Sequence, residues 1–262
     1  MEKRKMIQIL ICCSCFLAVI YGIAQFDKGH RRYTNDDVPT MAENKQKSEM
    51  FTRQHIMYIT FDDGPGQYTQ DILDILDQYH IKATFFVTGS NSDYTHLINT
   101  IQEEGHALGL HSFSHDYAKI YSSVEAYFDD LGKISALVKK ETDSIPNLIR
   151  FPGGSSNTIS KKYSANIMTK LSEHCENLGY SYYDWNVECG DENPSLSADQ
   201  IYDTVIQNIQ GKEEVMLLLH DGNDNKNTMI ALDRILKELV RQGWEFRIID
   251  ASANSFHHHI AN

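Results

Sequence analysis

The chain has 262 residues, of which 41% are hydrophobic, and a formal net charge of −12. That length and apolar content suit one large α/β domain with a full core. The acidic balance, with no basic stripe beyond the first residues, excludes nucleic acid as a partner and makes an anionic membrane surface a poor one for the folded part.

Lys3, Arg4 and Lys5 precede residues 6–26, a mostly apolar run without a charged side chain. Such a run spans a bilayer with its positive end inside, so residues 1–26 are expected to be an N-terminal membrane segment and the remainder to be extracytoplasmic. Gly22-Ile23-Ala24 offers the small-x-small pattern of a cleaved signal peptide, which leaves a secreted form as the rival of the retained anchor. Cys12, Cys13 and Cys15 lie inside this run and are expected to face the membrane or carry an acyl chain. Residues 27–52 turn to Lys, Arg, Asn, Asp, Glu and Gln, a composition that cannot build a core and reads as a polar linker. Cys175 and Cys189 are the remaining cysteines, and whether they form a disulfide is left open by the sequence.

Strand-like and helix-like stretches then alternate over 53–262. The first strand is predicted at 57–61, running into Asp62, Asp63 and a Gly64-Pro65 break. A helix over 69–79 with Ile72, Leu73, Ile75 and Leu76 on one face leads to a strand at 83–87. A helix over 95–104 and a short strand at 107–110 follow. The clearest helix covers 124–140, with Val124, Phe128, Leu131, Ile134 and Val138 at three- and four-residue steps. Strands at 147–150 and 180–184 flank a helix over 160–178 that stops at Gly179. Ser197 to Gln200 resembles a capping box and starts a helix to 209. An almost wholly apolar strand at 214–219, a helix over 228–242 ended by Gly243, and a strand at 245–249 complete the series. About seven parallel strands with helices outside predict a distorted (β/α) barrel, whose site belongs at the C-terminal ends of the strands.

At those ends fall Asp62 and Asp63, His111, Arg150, Asp184 and His220. Two adjacent acids repel unless a cation separates their roles, and a metal on one leaves the other free as a base. His111 and His115, four residues apart, are expected to share one face of a helical turn, a spacing a divalent metal can bridge. With Asp63 they give two nitrogens and one oxygen and leave positions open for water and substrate. His106 is read as structural. The terminal His257-His258-His259 belongs to a short tail expected to be disordered and without a role.

The ordered series Thr60-Phe61-Asp62-Asp63-Gly64, His111-Ser112-x-x-His115, Arg150-Phe151-Pro152-Gly153, Asp184-Trp185-Asn186 and Leu218-Leu219-His220-Asp221 resembles the polysaccharide deacetylase family, the NodB-homology carbohydrate esterases. The likeness runs over roughly residues 54–249. It implies a distorted (β/α) barrel that removes acetyl groups from polysaccharides with one divalent metal, zinc first, with Co2+, Ni2+ or Mn2+ as substitutes. Carried over, it assigns the metal to Asp63, His111 and His115, the base to Asp62, the base's partner to Arg150, and the acid to His220 supported by Asp184. Gly153 becomes a candidate oxyanion donor, and Trp185 and Leu218 the floor around an acetyl methyl. Gly153-Gly154 stand where the family commonly places an aromatic residue after the motif-three proline, so one wall of the sugar cleft is lost or supplied elsewhere.

The extracytoplasmic placement points to N-acetylhexosamine in cell-wall peptidoglycan. Chitin-type oligomers, an exported amino-sugar polymer and O-acetylated xylan are alternatives within the class. A non-catalytic carbohydrate-binding protein on the same barrel and a phosphoester hydrolase are alternatives outside it. Expected partners are the acetylated polysaccharide and, through residues 6–26, the membrane; the protein is expected to be a monomer.

Overall fold

β1, Ile56–Asp62, forms the axis of the sheet, and it is buried on both faces. Met57, Ile59 and Phe61 enter the large core beneath the helices, whereas Tyr58 joins Phe86, Met216 and Tyr183 in a second cluster on the other side. This is the two-residue alternation of a strand, and it turns Tyr58, Thr60 and Asp62 towards the barrel interior. The computed structural model describes residues 55–262. The expected membrane segment at 1–26, its alternative as a cleaved signal, the state of Cys12, Cys13 and Cys15, and the linker at 27–52 lie outside the described residues.

After β1 come α1 (Thr69–Gln78), β2 (Thr84–Thr88), α2 (Leu97–Glu103), β3 (Ala107–Ser112), the short α3 (Tyr117–Ile120), α4 (Val124–Thr142) and β4 (Leu148–Ile149). Then follow α5 (Ile167–Asn177), β5 (Ser181–Tyr182), β6 (Val187–Glu188), α6 (Ala198–Asn208), β7 (Glu214–His220), α7 (Lys226–Gln242) and β8 (Glu245–Arg247). The strands form one sheet in the order β5-β4-β3-β2-β1-β7-β6, with β8 paired to β1. Each pairing is parallel. β8 takes the first half of β1, at Ile56, Met57 and Tyr58, and β2 takes the second half, at Thr60, Phe61 and Asp62. The result is the expected distorted barrel, with eight strands where the pattern predicts about seven.

Local chemistry explains several boundaries. Ser197 and Gln200 form the predicted capping box at the start of α6. Gly243 ends α7 in the left-handed conformation at φ +80. The helix predicted over 160–178 is interrupted: Ile159–Lys162 makes a 3-10 turn, Asn166 adopts φ +56, and α5 starts only at Ile167. β6 is two residues long, too short to leave a periodic signal, yet Val187 and Glu188 pair with Leu217 and Leu218. Cys175 and Cys189 are free, buried thiols, so no disulfide joins them. Burial pushes the Cys175 thiol up to about 12, which keeps it protonated and inert. Among the described residues no helix is long and apolar enough to cross a membrane.

The C-terminal segment departs from expectation. His257 stacks on Tyr182 at 3.8 Å and its Nε2–H donates to the Tyr182 carbonyl at 2.9 Å. Asn262 accepts from Thr169 N–H with its main-chain oxygen and donates from its side chain to Ser160 Oγ at 2.7 Å. A strap with these bonds lies against α5 and the end of β5, where a free tail was expected.

Candidate active site

Asp62 ends β1, and the chain turns sharply after it: Asp63 has φ +73. The turn is held from β2, whose Thr88 N–H donates to the Gly64 carbonyl at 2.7 Å while Thr88 Oγ1 donates to the Asp63 carbonyl at 3.0 Å. The tightness of the loop shows at Gly64, where a Cβ would fall 2.1 Å from Asp221 Oδ2. Asp221 accepts in turn from Thr69 Oγ1 at 2.7 Å, tying the loop to α1.

His111 lies in β3 and His115 in the loop after it, so no helical turn brings them together. What does so is a left-handed residue, His115 at φ +49, and one buried carboxylate. Asp130 of α4 accepts from Ser112 Oγ at 2.7 Å, Phe113 N–H at 2.6 Å and Ser114 N–H at 3.3 Å. Ser112 Oγ then accepts from His115 N–H at 2.9 Å. The two imidazole rings end 5.2 Å apart.

Asp63 Oδ1 is 3.1 Å from His115 Nε2 and 3.5 Å from His111 Nε2, and it is a buried oxygen without a hydrogen bond. His111 Nδ1–H donates to the Arg150 carbonyl at 2.8 Å, leaving the Nε2 lone pair for the cleft. Burial pushes the His111 imidazole down to about 3, so it stays neutral as a ligand must. Two donors on a tetrahedral ion at ~2.0–2.1 Å stand roughly 3.3 Å apart. The donor set and its spacing therefore fit one divalent metal.

Asp62 is 3% exposed and accepts from Arg150 Nη1 at 2.9 Å. Burial raises its carboxyl pKa and Arg150 opposes the rise. Arg150 is itself fully buried; it also donates to Thr60 Oγ1, the Tyr183 carbonyl and the Asp184 carbonyl. On the other side His220, which ends β7, donates from Nδ1 to Asp191 Oδ1 at 2.8 Å. Burial alone would lower the His220 pKa, but Asp191, with Asp63 and Asp62 nearby, raises it to about 10.

The support of His220 by Asp184 is thus corrected. β5 stands at one end of the strand order, and β7 lies beyond β1 next to β6. The segment after β6 carries Asp191 to β7, where it also accepts from His220 N–H and Thr228 Oγ1. Asp184 holds the motif-three turn instead, accepting from Ser155 N–H at 2.8 Å, from Ser155 Oγ and from His258 N–H. A buried Asp in a loop leaves no period, so Asp191 escaped the sequence reading; only its place in the loop shortly after the Asp184-Trp185-Asn186 motif could have suggested it.

Asp62 and His220 face one cleft of about 300 Å³, walled by Tyr117, Gly153, Trp185 and Leu218 and rimmed by Glu188 and Glu192. Gly153 has φ +76, and a Cβ there would meet Tyr117 Oη at 2.6 Å. Tyr117, on α3, packs edge-on against His115 at 5.6 Å and occupies the wall that the Gly153-Gly154 pair leaves open. Burial, with Asp63 and Asp62, holds its hydroxyl protonated by pushing the pKa up to about 12.

A parallel barrel that brings three candidate metal ligands together at its strand ends, between the carboxylate of Asp62 and the imidazole of His220, has the layout of a single-metal hydrolase. Residues 51–171 match the family described as polysaccharide deacetylase. A peptidoglycan-N-acetylglucosamine deacetylase of Bacillus cereus is 30% identical over 94% of this chain and 93% of its own length. A peptidoglycan-N-acetylmuramic acid deacetylase of Bacillus subtilis is 28% identical over 92% of the chain and 93% of its own. The catalytic domain of a peptidoglycan N-acetylglucosamine deacetylase from Eubacterium rectale superposes with a TM-score of 0.77 and 42% identity, covering 79% of this chain and 94% of that one. The chain belongs to the polysaccharide deacetylase family.

Proposed function

We propose that the protein is a metal-dependent N-deacetylase of cell-wall peptidoglycan that hydrolyses the acetamide of N-acetylglucosamine units. The observation that carries this reading is the opposition of Asp62, held by Arg150, to His220, held by Asp191, across the Asp63, His111 and His115 triad. The peptidoglycan deacetylases to which the chain is similar support the choice of substrate.

Asp63, His111 and His115 would hold the ion, which polarises the acetyl carbonyl and lowers the pKa of a bound water from ~15.7 towards ~7. Zinc is the proposed ion, since two imidazoles and a carboxylate with open positions are a set that zinc uses. Asp62 Oδ2 takes the proton of the attacking water while Oδ1 stays bonded to Arg150 Nη1. The N–H of Gly153 is the proposed donor to the oxyanion, a role worth roughly 2.7–4 kcal/mol per donor. Leu218 and Trp185 give the acetyl methyl an apolar seat. His220, protonated at neutral pH, delivers the proton that the departing sugar nitrogen needs. Residues 6–26 are proposed to keep the domain outside the cytoplasm at the membrane, and the domain to act as a monomer.

The test is acetate release by the zinc-loaded protein from peptidoglycan and from N-acetylglucosamine oligomers, with Asp62→Asn as control. Release that disappears in the control is the expected result. Glycan binding without any acetate would instead favour a non-catalytic carbohydrate-binding protein.

A further inference from the structure

The C-terminal strap runs beside the segment that carries Trp185 into the cleft, and it holds that segment at three residues. The Tyr182 carbonyl accepts from His257 Nε2–H at 2.9 Å, Asp184 N–H donates to the Phe256 carbonyl at 2.7 Å, and the Trp185 carbonyl accepts from His258 Nε2–H at 2.6 Å. β5 ends the strand order, so the strap supplies on this side what a further strand would. The carbonyls of Tyr183 and Asp184 accept instead from Arg150, which also holds Asp62. Residues 182–185 are thus clamped between the guanidinium beside Asp62 and the strap.

His258 acts on the Trp185 side chain as well as on its main chain. Its ring packs edge-on against the indole at 4.8 Å, while Glu188 Oε2 accepts from the indole Nε1–H at 2.8 Å. A bond at the nitrogen alone leaves an indole free to pivot about it, and contact along the ring removes that freedom. The indole in turn lies against the motif-three turn, where a Cβ at Gly154 would fall 2.9 Å from Trp185 Cη2. His258 is itself fixed, since its N–H donates to Asp184 Oδ2 at 2.7 Å and its Nδ1 accepts from Ser156 Oγ at 3.1 Å.

We propose that His258 is a positioning residue of the active site, which immobilises the Trp185 wall and so confines the acyl seat between Trp185 and Leu218 to an acetyl group. The proposal rests on the deacetylase reading above, from which the acetyl seat is taken. An apolar pocket rejects one extra methylene only as far as its wall refuses to yield. Trp185 without His258 keeps its bond to Glu188 and loses the contact that stops the ring from swinging aside.

The experiment joins a measurement of the indole to a measurement of the seat, on the full zinc-loaded chain. Trp185 and Trp244 are the two tryptophans, so Trp244→Phe leaves Trp185 as the fluorophore, and acrylamide quenching reads its freedom. Acyl release from N-acetyl- and N-propionylglucosamine oligomers of equal length reads the seat. His258→Ala is expected to raise the quenching constant and to raise the propionyl-to-acetyl ratio of kcat/KM roughly 10-fold. His258→Gln, whose amide nitrogen replaces Nε2–H as donor to the Trp185 carbonyl, should stay near wild type in both. Unchanged quenching in a folded His258→Ala, or both substrates slowed in equal proportion, would overturn the proposal, because a strap that only stabilises the fold slows both alike. Raised quenching in a protein that releases neither acyl group would uphold the positioning of Trp185 and overturn the deacetylase reading. If His258→Ala does not fold, His258→Asn takes its place: its amide reaches only the Nδ1 position, and wild-type quenching and selectivity in that variant would equally overturn the proposal.

Discussion

His220 Nδ1 and Asp191 Oδ1 are 2.8 Å apart, and this bond decides the protonation of the imidazole. Burial opposes the charge, and Asp191 supplies the largest contribution in its favour. Asp191→Asn keeps the shape and removes the charge, so His220 should lose its proton at lower pH. The expected outcome is an alkaline limb of the kcat/KM profile displaced to lower pH, with kcat/KM at neutral pH down roughly 10- to 100-fold. Asp184→Asn should leave the alkaline limb in place and lower the melting temperature, because Asp184 serves the Ser155 turn.

Arg150 satisfies four acceptors from a fully buried position, and of the groups that favour the ionised Asp62 it contributes most. Arg150→Met removes the partner and leaves a buried carboxylate uncompensated, a change that costs about 3–5 kcal/mol. Arg150→Lys restores a charge without the planar fork and should recover only part of it. Urea unfolding of the three proteins measures the difference, and equal midpoints for Arg150→Met and wild type would show that the pair is not a source of stability.

Asp130 acts on the proposed metal ligands without touching them. Its carboxylate gathers Ser112, Phe113 and Ser114, and the Ser112 hydroxyl fixes His115. Asp130→Ala releases the loop, and supporting residues of this kind alter metal affinity by roughly 10- to 100-fold. The measurement is zinc affinity by chelator competition together with the Co2+ visible spectrum. Activity in excess metal should recover partly, since the ligands themselves remain; an unchanged affinity would make Asp130 a residue of the fold alone.

Much of this was legible in the sequence because barrel strands that end in chemistry carry two signals at once. The apolar run of β7 ending in His220, and that of β1 ending in Asp62, gave both the element and the site. The failures share a cause. His111 and His115 have a helical spacing, but a strand end and a left-handed residue join them, and φ at His115 is set by contacts from α4 that no local pattern reports. Asp191 and the strap at His258 reach the site through tertiary contacts whose receiving residues, His220 and Asp184, lie 29 and 74 positions away, whereas Tyr117 packs on His115 only two residues before it but from a four-residue helix too short to leave a periodic signal.

The reading of His106 as structural yields a prediction in pH. Its Nδ1 accepts from Ala83 N–H at 3.0 Å and therefore must be unprotonated, and the ring is stacked edge-on against Phe85 at 5.4 Å. Burial, reinforced by Lys82, lowers its pKa from 6.5 to about 4. Between those values the unfolded chain binds the proton and the folded one does not, so stability rises with pH across that window. The contribution is fully present above 6.5 and is lost as pH falls towards 4, on the order of 2–3 kcal/mol over the whole range. His106→Asn, which keeps an acceptor and cannot titrate, should flatten the dependence between pH 4 and 6.5. Denaturant midpoints measured across that interval for both proteins decide it: parallel curves would mean that other groups set the acid limit of the fold.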